Sequence, residues 1–221
     1  AHTAELLDRA AADGFRNLVV TVDTTHTGLR DRDLRNGYRH ARNPDLRMLL
    51  DALAHPAWLW RNWSGFRRGL GNFRDWPGVG QGLLAQAAHM AGQLEPCVTW
   101  ADIATLRRRW SGRFTVKGLT TPEDVGAAVR AGADGVVVSP HGGRQLDGAP
   151  SAIRTLPAIA QAHAGQVEIL FDSGIRRGSH LFKALAAGAD GCLIGRAYAY
   201  GLAARGEAGV TSVLDMLRRE L

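Results

Sequence analysis

Cysteine is nearly absent: Cys97 and Cys192 are the only two in 221 residues. Two thiols cannot build a disulfide scaffold or a cysteine-based metal site, and they fit a reducing, cytoplasmic setting. No apolar run reaches the roughly 18–20 residues needed to cross a bilayer, which argues against an integral membrane protein. The opening AHTAELLDRA lacks the charged start and apolar stretch of a secretory leader. It begins with Ala rather than Met, as expected of a processed, trimmed or incomplete chain. No GxGxxG follows a strand, which weakens a dinucleotide-binding reading. A single-signed charge stripe is missing too. The net charge is +6 but the arginines are scattered, so nucleic-acid binding is disfavoured. A basic pocket for an anionic ligand accounts for the excess as well.

What the chain does have is core, glycine and a repeat. With 45% hydrophobic residues and 27 glycines, it can bury a substantial core joined by many tight turns. AGADGVVVS (131–139) recurs as AGADGCLIG (187–195), and AADGFRNLVVTVD (11–23) has the same shape. Each reads as a helix end, a capping glycine, a turn and a continuously apolar strand. Strands apolar at successive positions are buried on both faces, which predicts a parallel sheet covered by helices. FTVKG (114–118) and VEILFD (167–172) add two strands. The spacing predicts a helix over 121–132, with Thr121 as N-cap and Pro122 in the first turn, and another over 177–188 capped by Ser179. Strands and helices alternating this way make an α/β fold, either a (β/α) barrel or a doubly wound sheet. Five units are countable where a full (β/α)8 barrel needs eight, so three are expected upstream.

Residues 38–96 break the rhythm. Trp58, Trp60, Trp63, Phe66, Phe73 and Trp76 interleave with Arg61, Arg67, Arg68 and Arg74. A long insertion after a strand reads as a lid or as a surface for an electron acceptor or membrane. The plainer alternative is aromatic packing under a helix with solvated arginines.

Chemistry in a parallel barrel gathers where the strands end. Those ends hold Asp23, Lys117, Ser139 with His141 and Arg144, Asp172 with Arg176, and Gly195 with Arg196. Charge at buried strand ends is costly unless paired or bound to ligand. In VVVSPHGGRQLDG (136–148), His141 can move a proton near neutral pH and Arg144 can grip a carboxylate with a bidentate fork. An acid–base histidine beside a carboxylate anchor is what oxidation of a 2-hydroxy acid needs. Asp23 is placed to hydrogen-bond the far nitrogen of His141 and set its tautomer; capping of a local turn is the alternative. FDSGIRRGS (171–179) and LIGRA (193–197) expose backbone N–H groups beside Arg176 and Arg196, at the loops that commonly hold phosphate in such barrels.

These residues resemble the FMN-dependent 2-hydroxy acid oxidases and dehydrogenases. TVDTTHTGLRDRDLRNG (21–37), TWADIATLRRRW (99–110), VKG (116–118), SPHGGRQLDGAP (139–150), FDSGIRRGSHLFKALAAGA (171–189) and IGRAYAYGLAARGEAGV (194–210) occur in family order. The resemblance implies a TIM (β/α)8 barrel, of which this chain holds about the last five units. The insertion at 38–96 would be the family's variable loop. It implies an FMN cofactor, a small L-2-hydroxy acid substrate of lactate, glycolate or mandelate type, and a 2-keto acid product. Reoxidation would be by oxygen, a quinone or a protein. His141 would be the base and Asp23 its partner; Arg144 and Arg30 would bind substrate. Lys117, Thr21 and Ser139 would lie at the flavin ring, and Asp172 at the ribityl chain. Ser173, Gly174, Arg176, Gly195 and Arg196 would form the phosphate end. No metal is expected, a homotetramer is suggested, and peripheral membrane association is left open beside the cytoplasmic setting.

Four positions depart from the pattern: Pro140 stands where the family usually has Asn, Ser173 where a glycine is usual, Thr25 where a proline is common and His180 where an aspartate is common. The competing readings are an inactive barrel remnant serving as a binding or interaction protein, and a different FMN barrel enzyme that shares only the phosphate loops. Together, His141, Arg144, Asp23 and Lys117 argue against the first; the HGGRQLDG string argues against the second.

Overall fold

The computed structural model describes residues 2–25, 28, 30–36, 46–73, 76, 78–80, 82, 85, 86, 89, 92 and 97–221. These divide into two compact units, 1–28 with 96–221, and 29–95.

The larger unit is an α/β layer. In chain order it runs α1 (His2–Ala12), β1 (Asn17–Thr21), α5 (Trp100–Arg109), β2 (Arg113–Leu119), α6 (Pro122–Arg130), β3 (Gly135–Val138), α7 (Ala152–His163), β4 (Glu168–Phe171), α8 (Gly178–Ala186), β5 (Gly191–Cys192) and α9 (Arg196–Arg219). All five strands are parallel, and their order in the sheet is their order in the chain. A doubly wound sheet reverses its strand order at a switch point. No reversal occurs here, so the arrangement is that of consecutive barrel units, as the sequence leads one to expect.

The core lies between sheet and helices. Phe114, Val116, Val136, Val138, Ile169 and Phe171 point from the strands onto Ile103, Val125, Leu156 and Ile159. On β3, Val137 on the opposite face is buried as well, matching the expected two-sided burial. β1 departs from it. Val19 is half exposed, because β1 pairs only with β2 among the described strands and one of its faces is uncovered.

The AGAD repeat has a structural cause. Asp134 and Asp190 each take a neighbouring strand's N–H on a carboxylate oxygen: Phe114 N at 2.8 Å and Ile169 N at 2.7 Å. In each case the aspartate's own N–H returns a bond to the same residue's carbonyl at 2.8 Å. The motif is a register pin, used twice.

Helix α6 begins as expected, with Thr121 Oγ1 accepting Asp124 N–H at 3.2 Å and Pro122 in the first turn. Helix α8 does not. Its N-cap is Arg177, and Ser179 lies inside the first turn, exposed. The Gly178 N–H is instead accepted at 2.9 Å by Glu220, just beyond α9, which also pairs with Arg177. A carboxylate from another helix has taken the cap that a local hydroxyl was expected to supply.

In the smaller unit, the described elements are α2 (Asp31–Arg35), α3 (Leu46–Ala54), α4 (Pro56–Arg68) and a short 3-10 turn at Gly71–Phe73. Of the aromatic set, Phe73 and Trp76 pack edge to face at 4.7 Å and Trp76 is buried. Trp58, Trp60 and Trp63 are exposed, Trp60 at 86%. Arg74 and the side chains of Phe66, Arg67 and Arg68 lie outside the described residues.

Candidate active site

Strand period puts the chemistry on one face. Lys117, Val137 and Leu170 are lateral neighbours across β2, β3 and β4. Side chains two residues further along point the same way, so Ser139 and Asp172 fall beside Lys117 at the C-terminal end of the sheet. Lys117 Nζ donates to Asp172 Oδ2 at 2.9 Å and to Ser139 Oγ at 3.1 Å; Ser139 Oγ donates to the same Asp172 oxygen at 2.8 Å. The lysine expected to need a partner has one. For Asp172, burial pushes the carboxyl up. Hydrogen bonds from Lys117 and Ser139, the lysine charge and the Ser173 N–H outweigh it and hold the group below its ordinary value.

Ser139 is fully buried and has every hydrogen-bonding capacity in use. Besides donating to Asp172 and accepting from Lys117, its Oγ accepts the His141 N–H at 3.0 Å. Past it the chain turns through Pro140 into a short 3-10 segment, His141–Gly143.

The His141 ring faces Asp23, with Nδ1 at 3.1 and 3.2 Å from the two carboxylate oxygens. Asp23 stands two residues beyond the end of β1, not at its last position. Its approach depends on Gly118, a residue whose role is not apparent from the sequence. The register of β2 against β3 shifts at this residue, which lies at φ +107. A Cβ there would sit 2.6 Å from Asp23 Cγ. The bulge and the missing side chain together make room for the carboxylate. A second unforeseen contact is Gln145 Oε1, which accepts the Gly28 N–H at 3.2 Å and ties the segment after β1 to the HGGRQ string.

Other expected residues are placed with less company. Thr21 pairs with Lys117 in register, on the same face. Arg144 is exposed and has no ion-pair partner among the described residues. Arg176 is exposed after β4, its side chain likewise without a carboxylate. Arg196 starts α9 behind Gly195, and its Nη2 donates to the Gly142 carbonyl at 3.4 Å. Ser173, at φ +96, accepts the Gly142 N–H at 3.0 Å. Arg30 belongs to the smaller unit, where it lies 3.7 Å from Asp33. Among the described residues, no cluster of His, Cys, Asp or Glu could hold a metal ion.

The chain resembles known proteins along its whole length. A family model for FMN-dependent dehydrogenases matches residues 1–221. An L-lactate dehydrogenase of Xanthomonas campestris pv. campestris (strain B100) is 45% identical over 216 residues, covering 97% of this chain and 56% of the relative. An L-lactate dehydrogenase of Chromohalobacter salexigens is 44% identical over 217 residues, covering 98% of this chain and 55% of the relative. Among solved structures, a monotopic membrane protein, (S)-mandelate dehydrogenase, superposes with a TM-score of 0.90 at 38% identity, covering 98% of this chain and 57% of that one. The chain therefore spans a little over half the length of the relatives it matches.

Proposed function

Because the chain belongs to the FMN-dependent α-hydroxy acid dehydrogenase family, we propose that the full-length protein oxidises a small L-2-hydroxy acid, of lactate, glycolate or mandelate type, to the 2-keto acid. The observation that carries this reading is the His141–Asp23 pair, set at the sheet's C-terminal end beside Lys117, Ser139 and Asp172. A structural pair alone would not need the neighbouring Arg144, which has no ion-pair partner among the described residues.

The side chains divide the work by chemistry. With Nδ1–H donated to the Asp23 carboxylate, Nε2 of His141 is the ring's free acceptor for a proton of the hydroxy acid. Asp23 also balances the positive charge that the ring gains. Arg144 anchors the substrate carboxylate with its planar fork, and Arg30 is a second substrate contact by resemblance. When bound, FMN supplies the two-electron chemistry that no side chain offers.

The residues present fit that cofactor. Arg176 and Arg196 hold no carboxylate of the protein among the described residues, and a Cβ on Gly174 or Gly195 would meet nothing within 4 Å. That leaves charge and open backbone for the phosphate end, where Ser173 also belongs. Lys117 and Thr21 would face the ring and Asp172 the ribityl chain, while Ser139, fully buried, would act from behind by holding Lys117 and Asp172 rather than by touching the flavin. In this reading the chain is the C-terminal part of one barrel, with 38–96 as its variable insertion.

The insertion also supports peripheral membrane association. Leu46, Leu49, Leu50 and Leu53 form one stripe of α3 at helical spacing and are 72%, 49%, 59% and 68% exposed. Trp60 and Trp63 on α4 are exposed as well, with Arg61 between them. Apolar stripes with tryptophan and arginine suit an interfacial helix, and no helix among the described residues is long and apolar enough to cross a bilayer. A quinone or protein acceptor held at the membrane fits such a location.

The reaction is tested by the anaerobic flavin spectrum of the full-length protein against a panel of L-2-hydroxy acids. One of them is expected to bleach the visible flavin band. Bound flavin that no hydroxy acid reduces would sink the reading.

A further inference from the structure

We propose that Ser173 is a positioning residue for His141, acting through the backbone of Gly142; this rests on the reading of His141 as the base. Ser173 lies at φ +96, a region where any side chain is disfavoured and glycine is the unstrained choice. The Ser173 Oγ accepts the Gly142 N–H at 3.0 Å and lies 3.4 Å from the Ser139 hydroxyl.

The segment it holds begins with a strained residue. His141 lies at φ +57, where a side chain is disfavoured, and the run continues with Gly142 and Gly143 at φ +66 and +69, which glycine adopts without strain. Every N–H in the run is taken: His141 by Ser139 Oγ at 3.0 Å, Gly142 by Ser173 Oγ at 3.0 Å, and Gly143 by the Pro140 carbonyl at 3.0 Å. Arg196 Nη2 holds the Gly142 carbonyl from the other side at 3.4 Å. Of these tethers, Ser173 is the one that reaches the run from the loop after β4. Releasing it lets the backbone relax and His141 leave φ +57. The ring direction follows that angle, so the imidazole swings off Asp23. Ser173 thus couples the loop after β4 to the aim of the imidazole without touching the ring.

Two substitutions in the full-length, FMN-loaded protein separate the hydroxyl from the strain. Ser173→Gly removes both; Ser173→Ala removes only the hydroxyl. The readouts are amide exchange at Gly142, the NMR titration of the His141 ring, FMN content, and kcat with KM for whichever hydroxy acid the wild type oxidises. Both variants are expected to exchange Gly142 about tenfold faster, as one lost hydrogen bond allows. They should also move the His141 titration and lower kcat about tenfold with KM little changed. Ser173→Gly should fold at least as well as wild type, so it decides the matter even where Ser173→Ala folds poorly. Wild-type Gly142 exchange and His141 titration in Ser173→Gly would overturn the proposal, and FMN loss with both unchanged would reassign Ser173 to cofactor contact alone. A protein that oxidises no hydroxy acid would end the reading of His141 as base, while exchange and titration would still decide the tether.

Discussion

At the scale of single residues, Asp172 is pulled in two directions. Burial raises its carboxyl, but Lys117, Ser139 and the Ser173 N–H bring it below the ordinary range. A carboxylate lowered in the folded state adds stability above its unfolded value of about 3.9 and loses it as pH falls through the lower folded value. The stabilisation is therefore present at neutral pH and disappears below about pH 4. Asp172→Asn should flatten that part of the acid profile. It should also cost on the order of 2 kcal/mol at neutral pH, because Lys117, only 16% exposed, is left without its counter-charge. Urea titrations at neutral and acid pH check this; the same acid sensitivity in both proteins would refute it. His141, Asp23 and Lys117 were legible by residue type and position at strand ends. Gly118 was not, because its reason is a carboxylate 95 positions earlier that only the β1–β2 pairing brings near.

At the scale of elements, two helix starts make a contrast. Thr121 caps α6 through its own hydroxyl, so Thr121→Ala should cost about 1 kcal/mol. Ser179, which sequence rules favour as the cap of α8, makes no capping bond there, and Ser179→Ala should leave the thermal midpoint unchanged. Comparing the two melts tests both; a matching loss from Ser179→Ala would show that the hydroxyl does cap in solution. Local rules identified the α6 cap because every participant lies within four residues. They failed at α8 because Glu220 arrives from 42 residues away, with its carboxyl drawn below its ordinary value by the Arg177 hydrogen bond and the Gly178 N–H.

At the scale of the molecule, the exposed apolar stripe of α3 and the tryptophans of α4 allow the proposed membrane attachment to be tested. Burying a large apolar side chain is worth roughly 1.5–3 kcal/mol, so partial insertion of two tryptophans accounts for about tenfold or more in affinity. Trp60→Ser with Trp63→Ser should weaken co-sedimentation of the full-length protein with anionic vesicles by about that factor. The anaerobic flavin response should be unchanged. Undiminished sedimentation would remove α4 from the attachment surface.

By itself the sequence determined the class of the fold and the cast of the site. Periodic apolar strands, helix caps and turn glycines are local, and the side chains proposed for catalysis fall at strand ends, where a parallel sheet leaves space for chemistry. Tertiary structure alone decided which of them touch: Lys117 with Asp172, Ser139 with three partners, His141 with Asp23 across the Gly118 bulge, Ser173 with Gly142. Each of those contacts joins residues from different strand ends, apart from Ser139 with His141. Their distances depend on strand register, on one extra residue in β2 and on backbone angles in the left-handed region, none of which residue type alone specifies.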